Sequence, residues 1–197
     1  MSVSRETTER LEIYRALLKQ WNPRINLVAP STLVNFQTRH IADSLQLAEL
    51  SDASEGAWID LGSGGGLPGL VMAIAKADSK VAFTLVESDQ RKAAFLRTVA
   101  RQADLPHVTV LAQRIEAISP LNAAYVSARA LAPLPQLMAY LDLHLAPSGT
   151  AFLMKGRQWQ AEIEQASQHW RFDYVSHPSR TQEGAAILEV SGVKYGA

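Results

Sequence analysis

The sequence predicts an α/β fold: a mostly parallel seven-stranded sheet that ends in an antiparallel hairpin, preceded by a helical extension. Three observations predict it. From residue 57 onward, short runs rich in β-branched and aromatic residues alternate with helix-length amphipathic stretches. Such repeats are βαβ units, which build parallel sheets with right-handed crossovers. A glycine-rich turn, Asp60 to Gly69, joins the first run to the first of these helices. The last two apolar runs are separated only by a polar loop, so they pair as a hairpin.

Taken in order, Thr7 to Trp21 carries Leu11, Tyr14, Leu17, Leu18 and Trp21 at helical spacing. Pro23 and Pro30 bracket a loop, Asn22 to Ala29, in which Trp21-Asn22 and Asn26-Leu27 are expected to make core and turn contacts. Ser31 is a candidate cap for a short helix over Thr32 to Phe36. Arg39 to Leu50 reads as a further helix, and Ser51 to Gly56 as a polar linker. The division expected is therefore 1–56, a helical extension packed on the catalytic part, and 57–197, the sheet domain. Strands are expected at Ala57–Leu61, Lys80–Glu87, His107–Ala112, Ala124–Ser127 and Thr150–Lys155, the fifth after a turn at Pro147-Ser148-Gly149. The intervening helices start near Leu67, span Asp89–Asp104 and Leu134–Leu145, and follow strand five over Gln158–Trp170. Phe172–His177 and Ala185–Val190 form the hairpin. Five parallel strands and a terminal hairpin resemble the sheet of class I S-adenosylmethionine (SAM) methyltransferases.

The glycine turn admits two cofactor readings. Gly64-Gly65-Gly66-Leu67-Pro68-Gly69 fits G-x-G-x-x-G, the dinucleotide fingerprint. Asp60-Leu61-Gly62-Ser63-Gly64-Gly65-Gly66 fits an acid followed by G-x-G-x-G, the first motif of SAM enzymes. A carboxylate at the strand end repels a pyrophosphate and attracts the ammonium and sulfonium of SAM, which favours the second. Glu87 ends strand two, where an acid binds ribose hydroxyls in either class.

Composition narrows the chemistry. The 197 residues hold 19 Lys plus Arg against 19 Asp plus Glu, so no overall basic charge draws the chain to nucleic acid. There is no cysteine, which excludes disulfides, thiolate metal sites and cysteine nucleophiles. No metal is expected. No lysine of a phosphate loop follows the glycines, and there is no Asn-Pro-Pro-Tyr segment of the kind used to methylate exocyclic amines. Met1 to Arg10 is polar and charged, unlike a signal peptide, and no apolar run is long enough to span a bilayer, so a cytoplasmic protein is expected.

Four further constellations lie near strand ends. Ile115-Glu116 follows strand three, where backbone groups can meet an adenine edge. Arg129 ends strand four, placed to reach substrate or cofactor or to pair with Asp60, Glu87 or Glu116. Lys155-Gly156-Arg157 ends strand five. His40 and Asp43, three apart on one helix face, can orient each other over the site.

Together these residues resemble the bacterial 16S ribosomal RNA guanine-N7 methyltransferases, the RsmG/GidB family. The resemblance rests on Asp60 to Gly69 (DLGSGGGLPG), Arg39-His40 with Asp43-Ser44, Trp21-Asn22 with Asn26-Leu27, Ser127 to Ala130, and Lys155-Gly156. It covers nearly the whole chain. It implies SAM as cofactor, with Asp60, Gly62, Gly64, Gly66, Leu67, Glu87, Ile115, Glu116 and Arg129 around it. It also implies that Arg129, Lys155, His40 and Asp43 hold the target, a single guanine in the decoding region of 16S rRNA within the small subunit. Guanine N7 carries an in-plane lone pair and no proton, so methyl transfer needs positioning more than a base. A small-molecule SAM methyltransferase, an NAD-linked oxidoreductase and a non-catalytic SAM-binding assembly module are the alternatives. The neutral charge, with Arg39, Arg129, Lys155 and Arg157 as candidates for a local basic patch at the rim and extension, predicts a folded ribonucleoprotein substrate over naked RNA.

Overall fold

The computed structural model describes residues 4–196; Met1 to Val3, the start of the polar N-terminal stretch, and Ala197 lie outside it. The chain runs α1 (Arg5–Ile25), a 3-10 turn (Pro30–Thr32), a π-helical segment (Gln37–Ala42) continuous with α2 (Asp43–Leu50), then β1 (Glu55–Leu61) and α3 (Gly69–Ala75). There follow β2 (Lys80–Val86), α4 (Gln90–Gln102), β3 (Val108–Leu111), a 3-10 turn (Ile115–Ala117), β4 (Ala123–Arg129), α5 (Leu134–His144), β5 (Leu145–Lys155), α6 (Trp159–Ala166), β6 (Trp170–Pro178) and β7 (Ala186–Tyr195). The sheet order is β3-β2-β1-β4-β5-β7-β6. β1 pairs in parallel with β2 and β4, and β7 pairs antiparallel with β5 and β6. The order reverses between β1 and β4, which places a crevice outside their carboxyl ends.

Helices cover both faces of the sheet. One cluster packs α5 and α6 on β1, β4, β5 and β7 through Ile59, Val126, Leu137, Leu141 and Leu188. The other packs α1, α3 and α4 together through Tyr14, Leu18, Leu70, Phe95 and Val99, so the extension shares a core with the sheet domain. Trp58 lies between Phe83 and Phe152, with ring centroids 5.8 and 5.6 Å away. No helix among the described residues is long and apolar enough to cross a membrane.

Several boundaries differ from expectation, each for a local reason. α1 does not stop at Trp21 but runs through Pro23, whose missing N–H costs one bond in the last turn; Asn26, at φ 48°, ends it by donating its N–H to the Asn22 carbonyl. Ser31 caps nothing: Ala29 precedes the 3-10 turn and Pro30 opens it. The helix expected from Arg39 starts at Gln37 and begins as π-helix. The turn expected at Pro147 to Gly149 is absorbed into β5 as an irregularity opposite Ala123 and Tyr125. Gly149 permits this, since a Cβ there would lie 2.8 Å from the Ala123 carbonyl oxygen. α6 ends at Ala166, short of Trp170, which instead starts β6 and packs edge-on against Tyr195 across the hairpin.

Candidate functional site

The turn after β1 is built almost wholly from backbone. Gly62 and Gly64 take φ of 65° and 53°, left-handed values that cost a side chain strain. A Cβ on Gly62 would also lie 2.5 Å from Leu131 Cδ1. Gly66 serves the fold, since a Cβ there would run into Leu70 of α3. The turn is held from two sides. Tyr14 of α1 donates its hydroxyl to the Gly65 carbonyl at 2.7 Å, and burial pushes the phenol pKa far up, so the group stays a donor. Gly64 donates its N–H to Glu87 Oε2 at 2.8 Å, and Asp89 donates to Oε1. Glu87 thus stands just past the end of β2, its carboxylate oriented by two amides.

Asp60 sits beneath this turn, 1% exposed. Ser127 donates to its Oδ1 at 2.6 Å and in turn accepts from Trp58 Nε1. Its Oδ2 is fully buried against Gly69 at the start of α3, whose amide lowers the carboxyl pKa without completing a well-aligned hydrogen bond. Burial pushes the carboxyl pKa up to about 6, against the hydrogen bond from Ser127, with Glu87 adding to the rise. A carboxylate buried this deeply is costly to ionise and is relieved by a nearby cation. That chemistry fits SAM, which carries an ammonium, and opposes a pyrophosphate.

Three cavities meet at Ala130, at the exit of β4, and Arg129 lines two of them. A cleft of about 400 Å³ runs from Gly62 and Glu87 to Gln113–Glu116, walled on the other side by Gln136 and Tyr140. A second, about 270 Å³, lies between Leu27, Thr32, His40 and the glycine turn, with Leu67 on its wall. A third, about 230 Å³, lies between Asp43, Lys155 and Gln182. Ala130 lines all three and holds φ 51°, a strained value for alanine.

Arg129 organises the junction of the second and third cavities. It does not pair with Asp60, Glu87 or Glu116, the acids considered from sequence. Its Nη2 donates to the Arg39 carbonyl at 3.0 Å and lies 3.3 Å from His40 Nδ1 and 3.4 Å from Asp43 Oδ2. His40 Nε2 lies 2.8 Å from Thr32 Oγ1, which donates to the Ala29 carbonyl. The chain of donors runs one way: Arg129 to His40 Nδ1, His40 Nε2–H to Thr32, Thr32 to Ala29. Burial pushes the His40 pKa down to about 4, and the Arg129 charge deepens the fall, so the ring is neutral. His40 and Asp43 therefore meet through Arg129 and not directly. Asp43 Oδ1 accepts from Thr181 Oγ1 and Gln46 Nε2, tying α2 to the loop between β6 and β7.

Two expected site residues are engaged by other side chains. Lys155 Nζ is paired with Glu162 Oε2 at 2.5 Å and donates to the Ala132 carbonyl, its side chain 9% exposed. Its charge is spent joining β5 to α6, so the expectation of a free phosphate-binding lysine loses its support. Glu116 does line the cleft, but its exposed carboxylate lies 3.8 Å from the Arg114 guanidinium. The contacts made by Ser127, Tyr14, Thr32, Ala130 and Thr181 escape the sequence reading. Single polar or small residues carry no spacing signal, and their roles follow from contacts across the fold.

Residues 7–188 match the profile of the family described as rRNA small subunit methyltransferase G. A protein of Paracoccus denitrificans (strain Pd 1222), named ribosomal RNA small subunit methyltransferase G, is 59% identical over 195 residues, covering 99% of this chain and 100% of that protein. One of the same name from Gluconobacter oxydans (strain 621H) is 50% identical, covering 98% and 97%. Among solved structures, a SAM-dependent methyltransferase from Aquifex aeolicus has a similar fold, with TM-score 0.61 at 11% identity over 89% of this chain and 97% of that one. The glycine turn above a buried aspartate, the acid after β2 and the seven-stranded order agree with these matches, and the chain belongs to the rRNA small subunit methyltransferase G family.

Proposed function

We propose that this chain transfers a methyl group from SAM to N7 of one guanine in 16S rRNA, acting on the small ribosomal subunit in the cytoplasm. The observation that carries the reading is the meeting of three cavities at Ala130, two of them lined by Arg129, beside a glycine turn with a buried carboxylate beneath it. Asp60 lines none of the three cavities, so its charge would act on the cofactor's ammonium across the backbone of the turn, and Glu87 would hold its ribose. Gly62, Gly64 and Leu67 would shape the turn around it, and the backbone of Ile115–Glu116 would meet the adenine. Bound there, SAM supplies an electrophilic methyl group on sulfur.

The remaining work falls to the other two cavities. N7 brings its own lone pair, so no side chain need take a proton. Arg129, with Nη1 buried and unpartnered, is placed to donate to a base or phosphate oxygen, and neutral His40 and Asp43 fix its direction. Residues 1–56 would act as an extension that brings His40 and Asp43 to the rim of the 57–197 domain. The decisive test is methylation with purified protein, comparing assembled small subunits with protein-free 16S rRNA over a range of salt, followed by mapping of modified guanines. One N7-methylated guanine, formed faster on subunits and with a shallow salt slope, is expected. SAM binding without methyl transfer to either substrate would overturn the enzymatic reading and favour an assembly module.

A further inference from the structure

His144 ends α5 and is fully buried in an otherwise apolar cluster, yet it belongs to none of the constellations above. Its Nε2 lies 3.0 Å from the Ile115 carbonyl oxygen, 29 residues away in sequence. That carbonyl already accepts the Ile118 N–H within its own 3-10 turn, at 3.3 Å. His144 therefore rescues no orphaned group, and it leaves its own Nδ1 buried without a partner. A leucine would fill the place without that cost. What the histidine adds is a fixed distance between α5 and the turn at Ile115–Ala117.

α5 and this turn are also two of the elements that line the cleft between Gly62 and Glu116. Gln136 and Tyr140 precede His144 at four-residue intervals, so the three lie along one face of α5. Gln136 donates to the Tyr140 hydroxyl at 2.8 Å, and both line the cleft opposite Ile115 and Glu116. The sheet order makes this the base end. The turn after β1 lies at the crevice, Glu87 ends the next strand out, and β3 with its exit turn lies beyond. A nucleoside whose ribose sits on Glu87 sends its base to residues 113–116. The first N–H groups of the 3-10 turn have no partner within it and are free to meet a base edge.

We propose that His144 is a positioning residue for adenine recognition: its N–H to the Ile115 carbonyl sets the 115–117 turn so that backbone N–H groups meet acceptor atoms on the adenine edge. The proposal rests on the reading of this cleft as the SAM subsite. Adenine N1 accepts a hydrogen bond, whereas hypoxanthine N1 carries a proton and meets the same N–H with another donor. The site therefore discriminates between them only while the turn is held in place.

The experiment measures calorimetric affinities for S-adenosylhomocysteine and S-inosylhomocysteine with the wild type, His144→Leu and His144→Gln. His144→Leu is expected to bind the adenine ligand about tenfold more weakly while its affinity for the inosine ligand stays within twofold. His144→Gln, which keeps a donor near Nε2, is expected to restore most of the loss. Equal weakening of both ligands, or wild-type affinity for both, overturns the proposal. Failure of the wild type to bind S-adenosylhomocysteine at all would instead remove the SAM reading beneath it. Should His144→Leu not fold, the wild type labelled with 15N-histidine decides: adenosine is expected to shift the His144 imidazole nitrogen signals and methionine to leave them unmoved. Unshifted signals at saturating adenosine overturn the proposal.

Discussion

The turn after β1 and the cluster around Arg129 face each other across the same crevice and are made in opposite ways. The first is backbone. Gly62 to Gly66, the Glu87 carboxylate that accepts the Gly64 N–H, and the Asp60 floor lie within 28 residues of sequence. The second is side chains drawn from four segments. Arg129 of β4 reaches the Arg39 carbonyl 90 positions away, and Asp43 reaches Thr181 across 138. Backbone shape survives changes in its surroundings but tolerates no new Cβ. A side-chain cluster tolerates change at any one member but depends on every segment that contributes. The first is suited to gripping a constant ligand, the second to a substrate whose contacts are particular to one RNA.

The contrast is sharpest in a pair of variants. Gly62→Val places a β-branched residue at φ 65° and forces Leu131 aside. We expect SAM affinity to fall at least about a hundredfold, with stability lowered by roughly 1–3 kcal/mol from backbone strain. Arg129→Ala leaves the turn intact. It should lower single-turnover methyl transfer about a hundredfold, the cost of one preorganised donor, while SAM affinity changes by less than about tenfold. It also lifts part of the depression of the His40 pKa, so that by NMR titration His40 should rise from about 4 toward its ordinary value. If the two variants lose binding and transfer in the same ratio, the division between the halves is wrong.

Lys155 tests the edge of the second half. Its pairing with Glu162 makes it part of the scaffold, so Lys155→Met leaves a carboxylate that is only 21% exposed with the Leu134 N–H as its remaining partner. The expected loss is about 2 kcal/mol of stability, toward the low end for a partly buried pair. Methyl transfer below the lowered melting temperature should stay within a factor of three. Adding Glu162→Leu should recover part of the stability. A large loss of transfer at unchanged melting temperature would return Lys155 to the substrate site.

How legible each half was in the sequence follows from the same contrast. The glycine turn, Asp60 and Glu87 could be read because strand, turn and helix are local and the acid has a fixed offset. The parallel order and the hairpin followed from alternation alone. His40, Asp43 and Arg129 could be named, but their partners could not, since nothing in spacing says that Arg129 would bond His40 and Asp43 in place of Asp60. Lys155 misled because a cation at a strand end looks the same whether it faces ligand or Glu162. The helix ends misled where tertiary contacts overrule local signals, as when Trp170 leaves α6 to pack on Tyr195.

The two halves also titrate apart, and this gives the smallest but cleanest separation. In the folded chain the Asp60 pKa is raised from 3.8 to about 6. A raised acid contributes stability that is complete below 3.8 and lost as pH rises through about 6, so at pH 7 the buried charge works against the fold. A cation beside Oδ2 favours the ionised form. Below about pH 6 the neutral carboxyl must first lose its proton, so SAM affinity should weaken as pH falls, approaching tenfold per unit at the steepest. His40 moves in another window. Its folded pKa of about 4 lies below 6.5, so the stability it contributes is complete above 6.5 and is lost as pH falls through about 4, and the ring stays neutral at pH 5. Between pH 7 and 5 the KM for SAM should therefore rise while single-turnover transfer at saturating SAM stays flat. Calorimetry at pH 6 in two buffers of different ionisation enthalpy should register proton release on binding, and Asp60→Asn should abolish it. Affinity that is level from pH 7 to 5, or a saturated rate that falls with it, would mean that Asp60 does not face the cofactor's charge and that the two halves share one titrating group.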